Sequence, residues 1–195
     1  MPKFILSTHQ KGGVGKSTIT YNLACAIKSK AKVAICDLDV QGTLAELKSI
    51  SEIPIYAGMP ELEKLKSSDY DFIFVDSPPY LTGTLPELLK FTDLILIPTK
   101  VGVADFMAIS KTIEIIRNAG KEKKSLVILN MVKPKTTLTL EMQESLSKLT
   151  IPVAETTLSD LVAFTRSFAT EGVDEEKASS QINSLLLEVF TLLNK

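Results

Sequence analysis

Short apolar runs recur along the chain and are rich in β-branched and aromatic residues. They lie at 4–7, 33–36, 53–56, 72–75, 94–97, 126–129 and 151–153. Runs such as FIFV at 72–75 and LILI at 94–97 are apolar at successive positions. In a strand with one face in water, apolar and polar residues alternate. The continuous apolar runs therefore predict strands whose two faces are both covered by other parts of the protein.

The segments between these runs have helical length and composition, notably 17–30, 105–118 and 138–149. Strands that alternate with helices are typical of repeated βαβ units. We therefore predict one doubly wound α/β domain over residues 1–195, with a mostly parallel seven-stranded sheet and helices on both faces. Ligands of such sheets bind beyond the carboxyl ends of the strands, so the residues that follow each run form the candidate site.

The last segment, 182–193, has apolar residues at helical spacing and carries one charge, Glu188. A helix that lies on a membrane surface combines such an apolar face with a basic rim. This segment lacks the basic rim, so we predict a terminal helix packed on the sheet and consider membrane binding unfavoured.

Composition narrows the function classes. The formal net charge of -1 does not fit a dedicated basic DNA-binding domain, so any contact with nucleic acid must be a local patch. The two cysteines, Cys25 and Cys36, have no spacing typical of a metal site. No apolar run reaches the length of a signal-peptide core or a membrane span, so we expect a cytoplasmic protein.

A glycine-rich loop, KGGVGKST at 11–18, directly follows the first run and precedes a predicted helix. Its glycines let backbone N–H groups turn toward a phosphate chain, and the helix N-terminus adds a positive end. Lys16 would reach the outer phosphates, and the Ser17 hydroxyl could ligate Mg²⁺. The candidate nucleotide-binding residues in this loop are Gly12, Gly13, Val14, Gly15, Lys16, Ser17 and Thr18.

Carboxylates follow two further runs. Asp37 and Asp39 come after the second run, and alternation along a strand would direct both toward one point. Asp76 ends a buried run, where a carboxylate can hold Mg²⁺ through its waters. Helix or turn capping is the structural alternative for Asp39 and for Asp76.

The loop departs from the ordinary phosphate-loop pattern, because Gln10 stands where a glycine is usual and Lys11 follows it. In this respect KGGVGKST resembles the deviant Walker A motif of the ParA/MinD ATPases. DLDVQG at 37–42 resembles the family's DxDxQG switch I segment, and DSPP at 76–79 resembles its DxPP Walker B and switch II pattern. The resemblance spans nearly the whole chain and implies a fold of the P-loop NTPase type that binds ATP and Mg²⁺.

The resemblance also implies roles for individual residues. Lys11 would reach into the nucleotide site of a partner subunit, and Asp39 would orient the attacking water. Asp37 would support the metal, so the candidate metal residues are Ser17, Asp37 and Asp76 and the candidate catalytic residues are Lys11, Lys16 and Asp39. Asn130 would hydrogen-bond the adenine, although an Asn after a strand is also a common turn residue, and backbone groups around Thr156 and Thr157 would close the other side of the base. His9 stands where many relatives have Asn, and we interpret it as a strand-end polar residue rather than a general base.

Among the family's classes, the resemblance favours a short ParA partition ATPase. It implies an ATP-dependent homodimer that binds DNA without sequence preference, associates with the nucleoid when ATP is bound, and is stimulated by a ParB-like, centromere-binding adaptor. A MinD-like ATPase that positions a cargo or binds a membrane is the alternative. The candidate DNA contacts are Lys121, Lys123, Lys124, Lys133, Lys135 and Arg166.

Overall fold

The computed structural model describes residues 1–39, 42–80, 83–133 and 137–195. Within these residues six parallel strands form one sheet in the order β3-β2-β4-β1-β5-β6. The strands are β1 (Lys3–Ser7), β2 (Val33–Asp37), β3 (Ile55–Ala57), β4 (Phe72–Asp76), β5 (Leu94–Thr99) and β6 (Ser125–Leu129). The helices are α1 (Lys16–Ile27), α2 (Thr43–Glu46), α3 (Met59–Leu65), α4 (Leu85–Phe91), α5 (Val103–Asn118), α6 (Thr137–Ser147), α7 (Val162–Arg166) and α8 (Glu176–Leu193).

The prediction of a seventh strand at 151–153 was wrong, because this segment makes only an isolated parallel bridge, Val153 to Val127. Extending the ladder toward the start of β6 would require an N–H from Pro152, which proline lacks. Extension in the other direction is also blocked, because the Thr156 N–H donates to Glu188 Oε1 at 2.8 Å. The next carbonyl of β6 accepts from Leu158 instead, at 2.9 Å.

Side chains that alternate along the strands enter two separate hydrophobic clusters, one on each face of the sheet. Ile5 of β1 and Phe74 of β4 pack in one cluster with α1, α7 and α8. Leu6 and Val75, their neighbours in sequence, pack in the other cluster with α3, α4, α5 and α6. The predicted doubly wound α/β fold is therefore confirmed, with six strands rather than seven.

The terminal helix α8 packs on the sheet, as the spacing of its apolar residues predicts. Ile182, Leu185 and Val189 are buried in the cluster that also contains Ile5 and Phe74. Because its apolar stripe is already covered, α8 gains its stability from burial. Along the described ranges of the chain, no helix combines the length and the apolar character that crossing a membrane requires.

Candidate functional site

The loops after β1, β2 and β4 meet at one edge of the sheet. Strand β4 lies between β1 and β2, and its last residue, Asp76, pairs in register with Ser7 of β1 and with Asp37 of β2. All three strands are parallel, so their carboxyl ends point the same way. The glycine-rich loop and the two predicted acidic positions are thereby brought together.

The glycine-rich loop depends on residues without side chains. Gly13 and Gly15 have φ angles of 68° and 93°, a region that L-residues rarely adopt. Gly15 immediately precedes α1, and its carbonyl accepts the Ile19 N–H at 3.0 Å. A Cβ at Gly15 would overlap the side-chain amide of Asn130.

Asn130, at the carboxyl end of β6, fastens this loop to the sheet. It is 5% exposed, and its Nδ2 donates to the Val14 carbonyl oxygen at 2.8 Å. The contact crosses 116 positions in sequence. Asn130 was a candidate for adenine binding, and the structure adds a contact that holds the loop in place.

Lys16 is buried beside the loop, with an exposure of 7%. Burial lowers the pKa of its ammonium, and the nearby carboxylates of Asp76 and Asp39 oppose that shift. Its Nζ donates a long hydrogen bond of 3.5 Å to the Lys11 carbonyl oxygen. A buried ammonium held this loosely can bind phosphate oxygens with little rearrangement.

Ser17, which is half-buried, pairs with the buried Asp76 beside the loop. Ser17 Oγ donates to Asp76 Oδ2 at 2.5 Å, and Asp76 is 1% exposed. Burial raises the pKa of Asp76 to about 7; the Ser17 hydrogen bond lowers it, and the negative charge of Asp37 raises it further. Its other oxygen, Oδ1, is buried with no hydrogen-bond partner among the described residues.

This donor set fits Mg²⁺. The ion takes oxygen ligands, usually one or two protein side chains together with substrate phosphates and water. The Ser17 hydroxyl and the Asp76 carboxylate provide such oxygens next to the loop. The described ranges contain no cluster of three or more His, Cys, Asp or Glu side chains able to hold a metal, so the nucleotide would have to complete the coordination.

Asp37 organises the loop after β2. Its Oδ1 accepts the Asp39 N–H at 2.9 Å, and its Oδ2 accepts the Ala45 N–H at 3.0 Å. Burial raises the pKa of Asp37, and these backbone hydrogen bonds lower it. A Cβ at Gly42 would collide with this carboxylate, so the tight turn depends on both residues.

Strand β2 ends at Asp37, so strand alternation does not extend to Asp39. Asp39 is half-buried in the turn, where its carbonyl accepts the Gly42 N–H at 2.8 Å. Positions 40 and 41 of the DxDxQG pattern lie outside the described residues. The water-orienting role of Asp39 and the metal-supporting role of Asp37 stay predictions.

A cavity of about 230 Å³ adjoins Asn130 and the start of α1. The family resemblance implies that backbone groups around Thr156 and Thr157 close the far side of a base, and in the structure the Thr156 N–H donates to Glu188 Oε1. The cavity is lined by the candidate residues Thr18 and Asn130 together with residues of the segment 159–168, which follows Thr157. The lining residues are Thr18, Asn130, Met131, Ser159, Asp160, Leu161, Phe164, Thr165 and Phe168.

The first residue of the loop, Lys11, contacts α5. Lys11 Nζ forms an ion pair with Asp105 Oδ1 at 2.6 Å. His9 is 1% exposed, and its Nδ1 accepts the Lys11 N–H at 2.8 Å, so that nitrogen is unavailable to take a proton. Burial, with the nearby charge of Lys16, lowers the pKa of His9 to about 4. Sequence reasoning missed Asp105, since 94 positions separate it from Lys11.

The candidate DNA contacts fall into two groups. Lys121, Lys123 and Lys124 lie immediately before β6, at the amino-terminal edge of the sheet. Lys133 follows β6 and Arg166 ends α7, whose Phe164 and Thr165 line the cavity, so these two lie near the carboxyl-terminal edge. Lys135 lies outside the described residues. The candidate DNA contacts among the described residues therefore lie at opposite edges of the sheet.

Known proteins resemble this chain over nearly its full length. The family model described as CobQ/CobB/MinD/ParA nucleotide binding domain matches residues 5–172. A relative from Halothiobacillus neapolitanus, named Maintenance of carboxysome distribution protein A, is 30% identical, with 92% of each chain covered. A plasmid partition protein from Borrelia burgdorferi bound to AMPPNP superposes with a TM-score of 0.77 at 19% identity, covering 98% of this chain and 99% of that one. Pyrococcus horikoshii MinD with Mg-ADP gives a TM-score of 0.74 at 20% identity, covering 98% and 97%.

Proposed function

The chain belongs to the CobQ/CobB/MinD/ParA nucleotide-binding family, and from this premise we propose that it is a Mg²⁺-dependent ATPase that forms a homodimer when ATP is bound. The observation that carries the proposal is the hydrogen bond from Ser17 to the buried Asp76 carboxylate, next to the buried Lys16. The carboxylate oxygen Oδ1 has no hydrogen-bond partner among the described residues, and it lies with a hydroxyl and an ammonium beside one loop. These are the groups that a metal-bound triphosphate requires.

Each side chain of the site has a role in this proposal. Backbone N–H groups of residues 12–18 bind the phosphates, and Lys16 neutralises their outer charge. Ser17 and Asp76 hold Mg²⁺, which supplies charge neutralisation of the phosphates when it is bound. Asp39 orients the water that attacks, and Lys11 contacts the nucleotide of the second subunit. Asn130 binds the base at the cavity beside it.

The cellular task that we propose is positioning of a cargo by an ATP-bound dimer that binds DNA without sequence preference. One candidate cargo is a plasmid or chromosomal partition complex, recognised through a ParB-like adaptor that stimulates hydrolysis. The second candidate is a large protein assembly, and the name of the 30% identical relative favours it. Membrane attachment is disfavoured because the apolar stripe of α8 is buried against the sheet.

Nucleotide binding and turnover test the proposal directly. Lys16→Ala should abolish tight ATP binding in calorimetry, because it removes the cation that faces the outer phosphates. Lys30→Ala removes the same charge from an exposed position beyond α1 and should bind ATP normally. Unchanged affinity in Lys16→Ala would show that the loop does not bind phosphates.

The role of Asp39 requires a different measurement. Asp39→Ala should bind ATP and dimerise but hydrolyse little, since the change affects water activation and not phosphate contacts. Light scattering should then show a dimer that persists after ATP is added. Wild-type turnover in Asp39→Ala would contradict the assignment.

A deletion strain separates the two cargoes. Loss of plasmids or unequal chromosome inheritance would support partition. Normal inheritance together with mispositioned protein assemblies would support the second candidate. Co-sedimentation of the purified ATP-bound protein with DNA, and separately with anionic liposomes, tests the membrane alternative.

A further inference from the structure

The ion pair between Lys11 and Asp105 is not explained by nucleotide binding within one subunit. The two charged groups are 2.6 Å apart, and the Asp105 side chain is 11% exposed while that of Lys11 is 38% exposed. The contact therefore holds the Lys11 ammonium against its own α5 helix. In the proposed dimer the same ammonium contacts the nucleotide of the other subunit.

Helix α5 fixes the backbone beside Lys11 as well as its side chain. The Gln10 N–H donates to Thr112 Oγ1 at 3.2 Å, two turns beyond Asp105 on the same helix. The Lys11 N–H donates to His9 Nδ1 at 2.8 Å. Because the backbone is anchored in this way, releasing Lys11 requires only rotation of its side chain and leaves the phosphate loop in place.

Asp105 sits where a carboxylate is stable even without Lys11. It lies in the first turn of a 16-residue helix, where the helix N-terminus favours negative charge. Gly102 leaves room for it, since a Cβ there would lie 3.1 Å from Asp105 Oδ2. The Asp105 carboxylate therefore keeps a favourable position at the helix N-terminus when it releases Lys11.

We propose that Asp105 is a positioning residue that holds Lys11 within its own subunit until two ATP-bound subunits pair. The inference rests on the proposed ATP-dependent homodimer. One ammonium cannot contact Asp105 and the other subunit's phosphates together. Dimerisation must therefore break the ion pair, and the free energy needed to break it opposes dimerisation. Val103 and Met107, two positions before and after Asp105, are 77% and 65% exposed, so a second subunit can approach this turn.

The ion pair itself is tested in nucleotide-free protein by labelling lysines with acetic anhydride and measuring Lys11 by mass spectrometry. Asp105→Asn removes the charge with little change in shape, so Lys11 should label about three- to tenfold faster. Glu114→Gln removes the same charge from an exposed position of α5 and should leave the rate unchanged. Equal Lys11 labelling in wild type and Asp105→Asn would overturn the proposal.

The consequence for pairing is tested by sedimentation velocity with ATP. The dimer dissociation constant of Asp105→Asn should fall about three- to tenfold while the ATP affinity of the monomer stays unchanged. Lys11→Ala lacks the contact with the second nucleotide and should pair poorly, and adding Asp105→Asn to it should not restore pairing. Unchanged or weaker pairing in the single variant, or the same gain without Lys11, would overturn the proposal.

A replacement variant and a measurement on the wild-type protein complete these tests. If Asp105→Asn does not fold, Asp105→Ser takes its place with the same expectations, because Ser is well tolerated near a helix start. A wild-type protein that stays monomeric with ATP would contradict the proposed function. Unchanged labelling with normal ATP-dependent pairing would contradict only the role of Asp105.

Discussion

A buried carboxylate costs stability unless a cation compensates it, and Asp76 is such a residue. Its folded pKa of about 7 lies above the ordinary value of 3.8. The folded state therefore binds more protons than the unfolded state between these values, and the contribution of Asp76 to stability falls as pH rises from about 4 to about 7. The nearby Lys16 ammonium compensates this charge in part, and the Mg²⁺ ion that Asp76 would hold would supply the rest.

Asp76→Asn should therefore stabilise the nucleotide-free protein while removing its response to magnesium. We expect a gain in unfolding free energy on the order of 2 kcal/mol at pH 8 and less than half of that gain at pH 5. Urea denaturation at the two pH values measures this gain, and thermal shift with Mg-ATP should show less stabilisation than in wild type. Asp174→Asn, at an exposed position, serves as the control. A gain of equal size at both pH values would contradict the conclusion that burial raises the pKa of Asp76.

His9 has the opposite pH dependence, because its folded pKa of about 4 lies below the ordinary value of 6.5. Its contribution is complete above pH 6.5 and is lost as pH falls toward 4, since the unfolded imidazole takes up the proton first. Relative to His9→Asn, wild type should lose on the order of 1–2 kcal/mol between pH 7 and pH 5. The comparison cancels Asp76, which both proteins contain. Parallel pH profiles of unfolding would show that His9 is not held neutral.

At the scale of elements, the sequence predicts the strands and loops whose positions depend on local residue patterns. Apolar runs identified the six strands of the sheet, and the glycine-rich loop was placed correctly between β1 and α1. The segment at 151–153 has the same apolar pattern, but Pro152 and the competing bond from Thr156 to Glu188 limit it to a bridge. The bond from Thr156 to Glu188 joins residues far apart in sequence and so depends on tertiary structure. The same holds for the ion pair of Asp105 with Lys11 and for the lining of the cavity. No spacing in the sequence indicates them.

The loop between β1 and α1 should be intolerant of any side chain at Gly15. Gly15→Ala combines a positive φ with overlap of the Asn130 amide, so we expect a loss of at least about 3 kcal/mol and of ATP binding. Gly120→Ala provides a matched control, because its φ is +65° and no atom of the described residues lies within 4 Å of the added Cβ. That variant should lose about 1 kcal/mol and keep ATP binding. Urea denaturation and calorimetry would measure both, and equal losses would argue against the Asn130 contact.

Across the whole molecule, acidic and basic residues nearly cancel, with a formal charge of -1. A monomer should therefore bind duplex DNA poorly. Dimerisation doubles any local basic patch, so binding should require ATP. Of the two basic groups, Arg166 lies near the nucleotide edge, whereas Lys123 lies at the opposite edge of the sheet. We therefore expect the ATP-dependent contact to include Arg166.

The measurement is fluorescence anisotropy of random-sequence duplex with Asp39→Ala protein, with and without ATP, at several salt concentrations. A dimer that neutralises about four to six phosphates should give a slope of log affinity against log salt of about -4 to -5. Arg166→Ala should flatten the slope by about two units, one contact per subunit, without changing ATP affinity. Lys123→Ala removes the same charge at the opposite edge and should leave the slope unchanged. Equal effects of the two changes would show that the carboxyl-terminal edge of the sheet is not the DNA surface. ATP-dependent sedimentation with anionic liposomes, without DNA binding, would favour a membrane localiser instead.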